Sequence, residues 1–347
     1  MKIILASYQS IMLIRGGPSY KIVETKKCLE KSGIDVNYFD AFDKNLDLLK
    51  ADLVHLFAAN VATYSLAKNL KHYGIKFVVN PIFFSKHSPT LLKIYQNFEK
   101  PFHRLFKRTY SDYSISRQIC ECAELVLPNT RAEANLISKG LGINPSRINV
   151  VPNGVEERFL NGDASLFEQK YRIKNFILFV GHIGGARKNV LSLIKALSKI
   201  NRPAVIIGDV AHTKESEICL QEADKNKNLI IIKGLSHNDP LLASAYAACD
   251  TFVLPARYET PGRAALEAGL AGAKIVITKY GGTKEYFENM AEYVDPYSIK
   301  SIVCGIEKGL NQKKDDRLKN HIKENFIWEK IIPKIINIYK QVVNLEQ

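Results

Sequence analysis

The hydrophobic residues of this chain fall into short continuous runs, which alternate with longer segments whose apolar positions recur at helical spacing. Continuous apolar runs are typical of parallel strands buried on both faces, and their alternation with helices predicts a parallel α/β sheet. The predicted strands are residues 2–6, 33–39, 52–57, 76–80, 125–128, 147–151, 176–180, 204–208, 229–233, 251–254 and 274–278. The pattern restarts at residue 176. We therefore expect two doubly wound, Rossmann-like domains.

The sequence Pro152-Asn153-Gly154 marks the strongest break between the two halves, because Pro-Asn-Gly favours a tight turn. The expected N-terminal domain is residues 1–155 and the expected C-terminal domain is residues 156–325, with a linker over residues 155–169 at the junction. The chain is predicted to be helical from Ile299 to its end, where residues 326–347 form a last, separate element.

The stretch from Cys249 to Glu285 contains the candidate chemistry. A predicted strand at residues 251–254 is followed by a loop and by a helix that begins at Arg263. Ligands of open parallel sheets bind beyond the carboxyl ends of the strands, where helix N-termini point. Gly262 has no side chain, so a phosphate could approach the amides of Arg263 and Ala264.

Two carboxylates, Glu259 and Glu267, bracket this turn with seven residues between them. A carboxylate oxygen accepts hydrogen bonds from the hydroxyls of a diol, so this pair beside a phosphate site suits a sugar nucleotide. In that interpretation Glu267 holds a ribose and Glu259 holds a sugar. The alternative is that both are solvated charges at the end of a helix, and the spacing alone leaves the two open.

The stretch resembles the Glu-x7-Glu block of the family 4 retaining glycosyltransferases. The matching residues are Glu259, Gly262, Leu266, Glu267, Ala268, Gly272, Gly281, Gly282 and Glu285. Three positions depart from the family pattern. Pro261 stands where Phe is usual, Arg263 where Leu is usual, and Lys274 where Pro is usual.

The loop that follows the predicted strand 176–180 is rich in glycine and begins at Gly181. It resembles the family loop in which an Arg and a Lys clamp the donor diphosphate. His182 takes the Arg position and Lys188 the Lys position, while Gly184 offers backbone amides and Arg187 adds charge. Further along the chain, Gly234 and Leu235 resemble the loop that contacts the nucleotide base.

The N-terminal half carries a weaker resemblance. Gly16 and Gly17 lie between the first predicted strand and a helix, like the family's Gly-Gly loop beside the donor phosphates and the acceptor. A plain structural turn is the alternative. The family's Thr-x-His motif is replaced by residues 80–82, Asn-Pro-Ile, so its His is missing; His55 and His87 are weak substitutes.

The resemblance implies a GT-B fold, in which the two domains face each other across a cleft and the last helix crosses back to the first domain. It also implies that residues 1–155 bind the acceptor and that residues 156–325 bind the nucleotide sugar. It implies transfer of a sugar, with retention of configuration, from a UDP- or GDP-sugar to a glycan or a lipid-linked acceptor, as in the synthesis of bacterial surface polysaccharide or glycolipid. Lys188 and Arg187 would stabilise the departing diphosphate, Glu259 would orient the donor sugar, and Glu285 would line the same pocket. No cofactor is expected, and no metal either, because no DxD-type motif ends a predicted strand.

Charge and composition add one feature. The net charge is +14, and the segment between Lys86 and Arg108 holds six basic residues against one acid, Glu99. Residues 90–113 also carry aromatic residues at helical spacing, with Pro101 expected to kink or divide the helix. Such a basic amphipathic helix can lie on an anionic membrane surface, although its stripe could equally pack on its own domain.

The remaining composition is that of a cytoplasmic globular protein. Six scattered cysteines favour a reducing compartment, and no apolar run is long enough to span a membrane. Three alternatives stay open: a hydrolytic or phosphorolytic GT-B relative, a non-catalytic member that binds a partner, and a basic nucleic-acid-binding protein. The last lacks helix-turn-helix, zinc-finger and RNP signals, so we expect no nucleic acid partner.

Overall fold

The structure is a computed structural model that describes residues 1–13, 16–43, 48–105 and 111–344, without the side chains of residues 99–105. The chain divides into two compact units. The first consists of Met1–Gly154 together with Trp328–Gln347, and the second of Val155–Ile327.

The first unit is built on a parallel sheet of five strands in the order β2-β1-β3-β4-β5. The strands are β1 (Lys2–Ala6), β2 (Asp35–Tyr38), β3 (Leu53–Phe57), β4 (Phe77–Asn80) and β5 (Leu125–Val126). The helices are α1 (Gly17–Lys31), α2 (Val61–His72), α3 (Pro89–Leu105), α4 (Asp112–Cys122) and α5 (Arg131–Asn135), followed by a π-helical turn at Leu136–Gly140.

The C-terminal helix, Trp328–Asn344, belongs to this first unit. Its apolar face, which includes Trp328, Ile335 and Tyr339, packs in one cluster with β1, β3 and α1. Gly154 is held against the Trp328 ring so closely that an added Cβ would lie 2.5 Å from the ring atom Cδ2. The last helix therefore completes one face of the N-terminal sheet.

The second unit is built on a parallel sheet of six strands in the order β11-β10-β9-β6-β7-β8. The strands are β6 (Ile177–Val180), β7 (Ala204–Ile207), β8 (Leu229–Ile232), β9 (Thr251–Leu254), β10 (Lys274–Thr278) and β11 (Ala291–Val294). The helices are α6 (Ala164–Tyr171), α7 (Val190–Leu197), α8 (Lys214–Ala223), α9 (Pro240–Ala248), α10 (Arg263–Leu270), α11 (Thr283–Phe287), α12 (Ile299–Asn311) and α13 (Arg317–Asn325).

The α/β fold with two parallel sheets confirms the predicted fold class. The strand β11 was not predicted, since its run Ala-Glu-Tyr-Val is interrupted by a charge. The strand predicted at residues 147–151 does not form. The chain there makes an isolated bridge between Val126 and Ile148, after a 3-10 turn at Pro145–Arg147. The amides of Asn149 and Val151 donate to Val126 O and Pro128 O.

The predicted linker at residues 155–169 is wrong. A 3-10 turn at Glu157–Asn161 and helix α6 occupy most of this segment, and Phe159 and Phe167 are fully buried in the core of the second unit. Burial of two phenylalanine side chains stabilises the folded state, so this segment is part of the core of the second unit and is not a linker.

Helix α3 is a single element up to Leu105, so Pro101 does not divide it. Leu92 is buried and would be 2.9 Å from a Cβ placed on Gly140, which fixes one side of the helix on its own unit. Among the described residues, no helix combines the length and the apolar character needed to cross a bilayer.

Candidate functional site

Two loops that follow neighbouring strands of the second sheet build a cluster of charged side chains, and a third loop lies against them. The loops follow β6, β9 and β10, which lie at the centre of the sheet, and their parallel direction brings their carboxyl ends to one edge. Glu259 comes from the loop after β9, and Arg187 and Lys188 come from the loop after β6.

Glu259 receives both cations on one carboxylate oxygen. Arg187 NH1 and Lys188 Nζ each lie 2.8 Å from Glu259 Oε1. The exposed fractions of the side chains are 8% for Glu259, 17% for Lys188 and 42% for Arg187. The cluster is therefore buried at the carboxylate and open at the guanidinium.

Burial and charge act in opposite directions on this cluster. Burial opposes ionisation of Glu259, but Lys188 and Arg187 outweigh it and lower the pKa of Glu259. Burial also lowers the pKa of Lys188, with a further contribution from Arg187, and the Glu259 carboxylate restores only part of the loss. The result is an ionised carboxylate beside a lysine that gives up its proton more easily than a solvated one.

Side-chain and backbone hydrogen bonds hold these loops against one another. Asn189, in the left-handed region with φ 57°, donates through Nδ2 to Pro255 O at 3.0 Å and to Pro296 O at 2.7 Å. The amide of Arg257 donates to Arg187 O at 2.8 Å. Gly281 forms an isolated bridge with Glu259, and an added Cβ on Gly281 would lie 2.0 Å from Glu259 O. Glycine is therefore required beside the carboxylate.

Gly262 caps helix α10 next to this cluster. Its φ is 85°, and an added Cβ would lie 3.0 Å from Ile277 Cδ1. The first amide bonded within the helix turn is that of Ala265, which donates to Gly262 O at 2.9 Å. The preceding amides, those of Arg263 and Ala264, point out of the helix N-terminus, where partial positive charge favours a phosphate.

Glu267 lies on α10 and is almost completely buried. Tyr246 OH donates to Glu267 Oε2 at 2.9 Å, and Arg263 Nε donates to Glu267 Oε1 at 2.7 Å. The charge of Glu267 reaches Lys188, whose pKa it raises slightly against the effect of burial. Neither Glu259 nor Glu267 is a solvated helix-end charge, so that alternative is wrong.

Arg263 also links Glu267 to a second group of polar side chains, His237 and Glu156. Its NH2 lies 2.6 Å from His237 Nε2, which lies 2.5 Å from Glu156 Oε2. Burial opposes ionisation of Glu156, but the contacts with His237 and Arg158 outweigh it and lower its pKa to about 2. Sequence reasoning missed Glu156, His237 and Tyr246 as site residues. Glu156 follows the Pro152-Asn153-Gly154 turn by two residues, and that turn was interpreted only as the boundary between the two halves.

The other predicted residues of the second unit lie around this edge of the sheet. Gly184, with φ 92°, packs against the start of α8, where Thr213 Oγ1 donates to Gly184 O at 3.1 Å. His182 is half-buried in the loop after β6. Gly234, with φ 71°, and the half-buried Leu235 follow β8, and Glu285 is half-buried on α11, one turn after Gly281.

The Gly16–Gly17 loop lies in the first unit, where it starts helix α1. The Gly16 amide donates to Ser19 Oγ at 2.9 Å, and the Ser19 hydroxyl donates to Gly16 O at 2.9 Å. The neighbouring Arg15 lies outside the described residues. The structure thus records a capped turn, which is the structural alternative given above, and the loop's role toward a ligand stays a prediction.

A buried polar group lies at the carboxyl edge of the first sheet. Lys21 Nζ donates to Asn129 Oδ1 at 2.5 Å, and Asn80 Nδ2 donates to the same oxygen at 3.2 Å. Glu133 accepts from the amides of Phe83 and Asn129, both at 2.7 Å. Burial dominates here, since it lowers the pKa of Lys21 to about 7 and raises the pKa of Glu133 to about 7.

His55 and His87, the weak substitutes for the missing motif histidine, have hydrogen-bond partners outside that group. His55 is buried, and its Nδ1 lies 2.6 Å from Tyr339 OH. Burial, with the nearby Lys21, lowers the pKa of His55 well below its usual value. His87 is exposed, and its amide donates to Ser85 Oγ at 3.0 Å. Within the described residues, no three or more His, Cys, Asp and Glu side chains are grouped so as to hold a metal ion.

Two family profiles match the chain in succession. The profile of glycosyltransferase family 4 matches residues 21–159, and the profile of glycosyl transferases group 1 matches residues 165–326. The second match contains every charged residue of the Glu259 cluster.

Similar proteins of known sequence carry glycosyltransferase names. MJ1607, an uncharacterized glycosyltransferase of Methanocaldococcus jannaschii, is 26% identical over 324 residues, which are 87% of this chain and 79% of that protein. A D-inositol 3-phosphate glycosyltransferase of Pseudarthrobacter chlorophenolicus is 28% identical over 182 residues, 48% of this chain and 42% of its own length. An MMP alpha-(1->4)-mannosyltransferase of Mycolicibacterium hassiacum is 22% identical over 254 residues, 69% of this chain and 59% of its own length. The chain spans less than two thirds of these last two proteins.

Solved structures share the fold. A sucrose-phosphate synthase from Thermosynechococcus elongatus superposes with a TM-score of 0.78 at 15% identity, covering 100% of both chains. Anabaena Alr3699/HepE in complex with UDP and glucose gives a TM-score of 0.72 at 17% identity, covering 98% of this chain and 100% of that one. The lipopolysaccharide outer core galactosyltransferase WaaB gives 0.68 at 17% identity over the same shares.

Proposed function

Because this chain belongs to the family 4 glycosyltransferases and has their GT-B fold, we propose that it transfers a hexose from a UDP- or GDP-sugar to a glycan or lipid-linked acceptor. The proposal includes retention of configuration, no metal ion and no cofactor. We place the reaction in the synthesis of a bacterial surface polysaccharide or glycolipid. A relative that transfers to inositol 3-phosphate and one that transfers to a lipopolysaccharide core support this range of acceptors.

The observation that carries the proposal is the Glu259 cluster, where one buried carboxylate, two cations and a helix N-terminus meet at one sheet edge. Transfer breaks the bond between the anomeric carbon and the diphosphate oxygen and forms a bond between that carbon and an acceptor hydroxyl oxygen. The hydroxyl proton passes to the departing diphosphate. Negative charge develops on the diphosphate. Cations and amides fixed in advance at that point stabilise the transition state more than the ground state.

Each residue of the cluster takes one role in this proposal. Arg187 and Lys188 meet the diphosphate, together with the amides of Arg263 and Ala264. Glu259 accepts hydrogen bonds from hydroxyls of the donor sugar, for which its lowered pKa keeps it ionised. Glu267, whose two oxygens are oriented by Arg263 and Tyr246, keeps lone pairs for the ribose diol.

A thermal-shift panel of UDP-, GDP- and ADP-sugars tests the proposal. A ligand that binds only the folded state raises the unfolding midpoint according to its affinity. We expect one nucleotide to raise the midpoint of the native protein, with Glu267→Ala reducing the rise and the exposed Glu307→Gln preserving it. If no nucleotide sugar raised the midpoint, the donor assignment would be wrong.

The proposal also includes contact of helix α3 with an anionic membrane surface. Leu91, Ile94, Tyr95 and Phe98 are exposed at helical spacing, which forms an apolar stripe on the side opposite the buried Leu92. The predicted segment, residues 90–113, is only partly described, because the side chains of 99–105 and all of 106–110 lie outside the described residues. The exposed stripe and the net charge of +14 support binding to acidic headgroups.

Co-sedimentation with vesicles tests the membrane contact. We expect recovery with vesicles that contain phosphatidylglycerol to exceed recovery with pure phosphatidylcholine. Phe98→Ser should reduce the difference, and Tyr73→Ser, an exposed tyrosine at the end of α2, should leave it unchanged. Equal recovery with both vesicles would contradict the proposal.

A further inference from the structure

Two exposed tyrosines lie beside the Glu259 cluster and take no part in it. Tyr280 follows β10 and Tyr297 follows β11, with exposed fractions of 39% and 61%. Their ring centroids are 6.1 Å apart and their planes are inclined by 57°. The two rings therefore form an open, angled aromatic surface at the same sheet edge as the cluster.

The backbone ties this surface to the cluster. Tyr280 O accepts a hydrogen bond from the Glu259 amide at 3.2 Å. Pro296, which precedes Tyr297, accepts from Asn189 Nδ2 at 2.7 Å, and Asn189 directly follows Lys188. Each ring is thus fixed within one or two residues of a group that positions Glu259 or Lys188.

A charged pair borders the aromatic surface. Lys279 Nζ lies 2.9 Å from Asp295 Oδ2 and 5.1 Å from the centre of the Tyr280 ring. Asp295 Oδ1 accepts from the Tyr297 amide at 3.0 Å. Lys279 and Asp295 thus offer hydrogen-bond donors and acceptors beside the two rings, with the Lys279 ammonium over one face of Tyr280.

This combination matches the two-sided chemistry of a sugar ring. The C–H face of a pyranose is apolar and packs on an aromatic face, while its hydroxyls both donate and accept hydrogen bonds at the ring edge. Tyrosine loses little conformational entropy when it provides such a contact, because it has only two side-chain torsions. Two exposed tyrosines beside a charged pair are therefore better suited to a saccharide than to a nucleotide phosphate.

The strand order indicates whether the tyrosine surface would contact the donor or the acceptor. Along the sheet, β6, β7 and β8 lie on one side of β9, whereas β10 and β11 lie on the other. In the proposed function Lys188, after β6, meets the diphosphate and Gly234, after β8, contacts the base, so the nucleotide would extend toward that side of the sheet. Tyr280 and Tyr297 lie on the other side of Glu259, away from that path.

We infer that Tyr280 and Tyr297, with Lys279 and Asp295, form a saccharide subsite of the second unit, which holds a sugar ring of the acceptor in addition to the acceptor contacts that the resemblance assigns to the first domain. This inference rests on the proposed function, because it takes the Glu259 cluster as the place where the donor sugar is held. The ligand class is a neutral oligosaccharide, packed through a C–H face on the tyrosine rings.

Saturation-transfer difference NMR on the full chain tests the subsite. The probes are four trisaccharides, of α-linked glucose, α-linked mannose, α-linked galactose and β-linked N-acetylglucosamine, each recorded with UDP and with GDP present. We expect at least one to receive saturation from the native protein, and Tyr297→Ala to weaken its binding about fivefold or more. Tyr297→Phe should retain the binding, since it keeps the ring face.

Two controls separate the subsite from folding and from the donor site. Tyr73→Ala removes an exposed tyrosine of the first unit and should leave saccharide binding unchanged. The nucleotide-dependent thermal shift should be the same in Tyr297→Ala as in the native protein. Loss of that shift in the native protein would contradict the proposed function, whereas a normal shift without saturation transfer, or with equal transfer in Tyr297→Ala, would overturn the subsite alone.

Discussion

The two units place a lysine and a glutamate at the same edge of similar sheets, yet the two pairs differ in what surrounds them. In the second unit Lys188 contacts Glu259 directly, and Arg187 joins them with 42% of its side chain exposed. In the first unit Lys21 donates to Asn129, and Glu133 accepts two backbone amides, with all three residues buried. The Lys188–Glu259 pair is connected to solvent through the exposed Arg187, whereas Lys21 and Glu133 are buried.

The pKa values express this difference. Two cations outweigh burial at Glu259 and lower its pKa, whereas burial outweighs the backbone hydrogen bonds at Glu133 and raises its pKa to about 7. An ionised carboxylate with an exposed guanidinium beside it can exchange partners with a charged ligand. A carboxyl group held by backbone amides instead fixes the loops after β4 and β5. This difference favours the proposed ligand binding at the Glu259 cluster and a structural role for Lys21 and Glu133.

The largest effect is expected from Glu259→Gln. It removes the charge that contacts Arg187 and Lys188 and that orients the donor sugar in the proposed function, so we expect turnover to fall about 100-fold or more. The measurement is steady-state release of nucleotide from the donor found in the thermal-shift panel. Glu307→Gln, an exposed residue of α12, is the matched control. If turnover stayed within twofold of that of the native protein, Glu259 would not have the ligand-binding role that distinguishes it from Glu133.

Glu133→Ala tests whether the buried glutamate of the first unit has a structural role. It leaves the buried amides of Phe83 and Asn129 without their acceptor, so we expect the free energy of unfolding to fall by roughly 2–5 kcal/mol. Urea unfolding provides the measurement, and nucleotide affinity of the folded variant should stay at the native value. A normal unfolding midpoint combined with weakened nucleotide binding would instead place Glu133 in the ligand site.

The pH dependence of nucleotide binding sharpens the role of Lys188. Its pKa is lowered by burial, so its positive charge is lost at a lower pH than that of a solvated lysine, and binding should weaken as pH rises through this lowered value. Lys188→Arg should shift this alkaline decline upward, because a guanidinium does not titrate there. Lys195→Arg, an exposed lysine of α7, should not change the profile. An unchanged profile in Lys188→Arg would mean that another group causes the decline.

The smallest effect is expected from Arg263→Leu, which restores the residue usual in the family. It removes the donor on Glu267 Oε1 but leaves Tyr246 on Oε2, so the carboxylate is less well oriented and loses one charge-assisted bond. We expect the KM for the donor to rise about three- to tenfold with little change in kcat. A fall in KM would show that Arg263 obstructs the ribose instead of positioning its partner.

Much of the fold followed from local pattern. The strands at residues 2–6, 251–254 and 274–278 and the helix that begins at Arg263 have their predicted bounds, because each is an uninterrupted apolar or periodic run. The prediction was wrong where local pattern and packing disagree. Residues 155–169 contain polar residues that resemble a linker, but Phe159 and Phe167 find a core to fill.

The candidate site could be predicted only in part. The Glu-x7-Glu spacing indicated both carboxylates, and the glycine-rich loop after β6 indicated Lys188 and Arg187. The partners Tyr246, His237 and Glu156 could not be paired with Glu267 and Arg263 in the same way, since they are separated from them by 21 to over 100 residues in the chain. Short-range patterns contain no information about which distant side chains meet.

The sequence by itself determined the alternation of strands and helices and the family to which the chain belongs. Both depend on neighbouring residues, whose spacing sets the periodicity and the motif. Only the tertiary structure decided that Glu259 is shared by two cations, that Glu267 is buried under Arg263 and Tyr246, and that two tyrosines stand open beside them. These contacts depend on the order of strands in the sheet, because that order brings the ends of β6, β9, β10 and β11 to one edge.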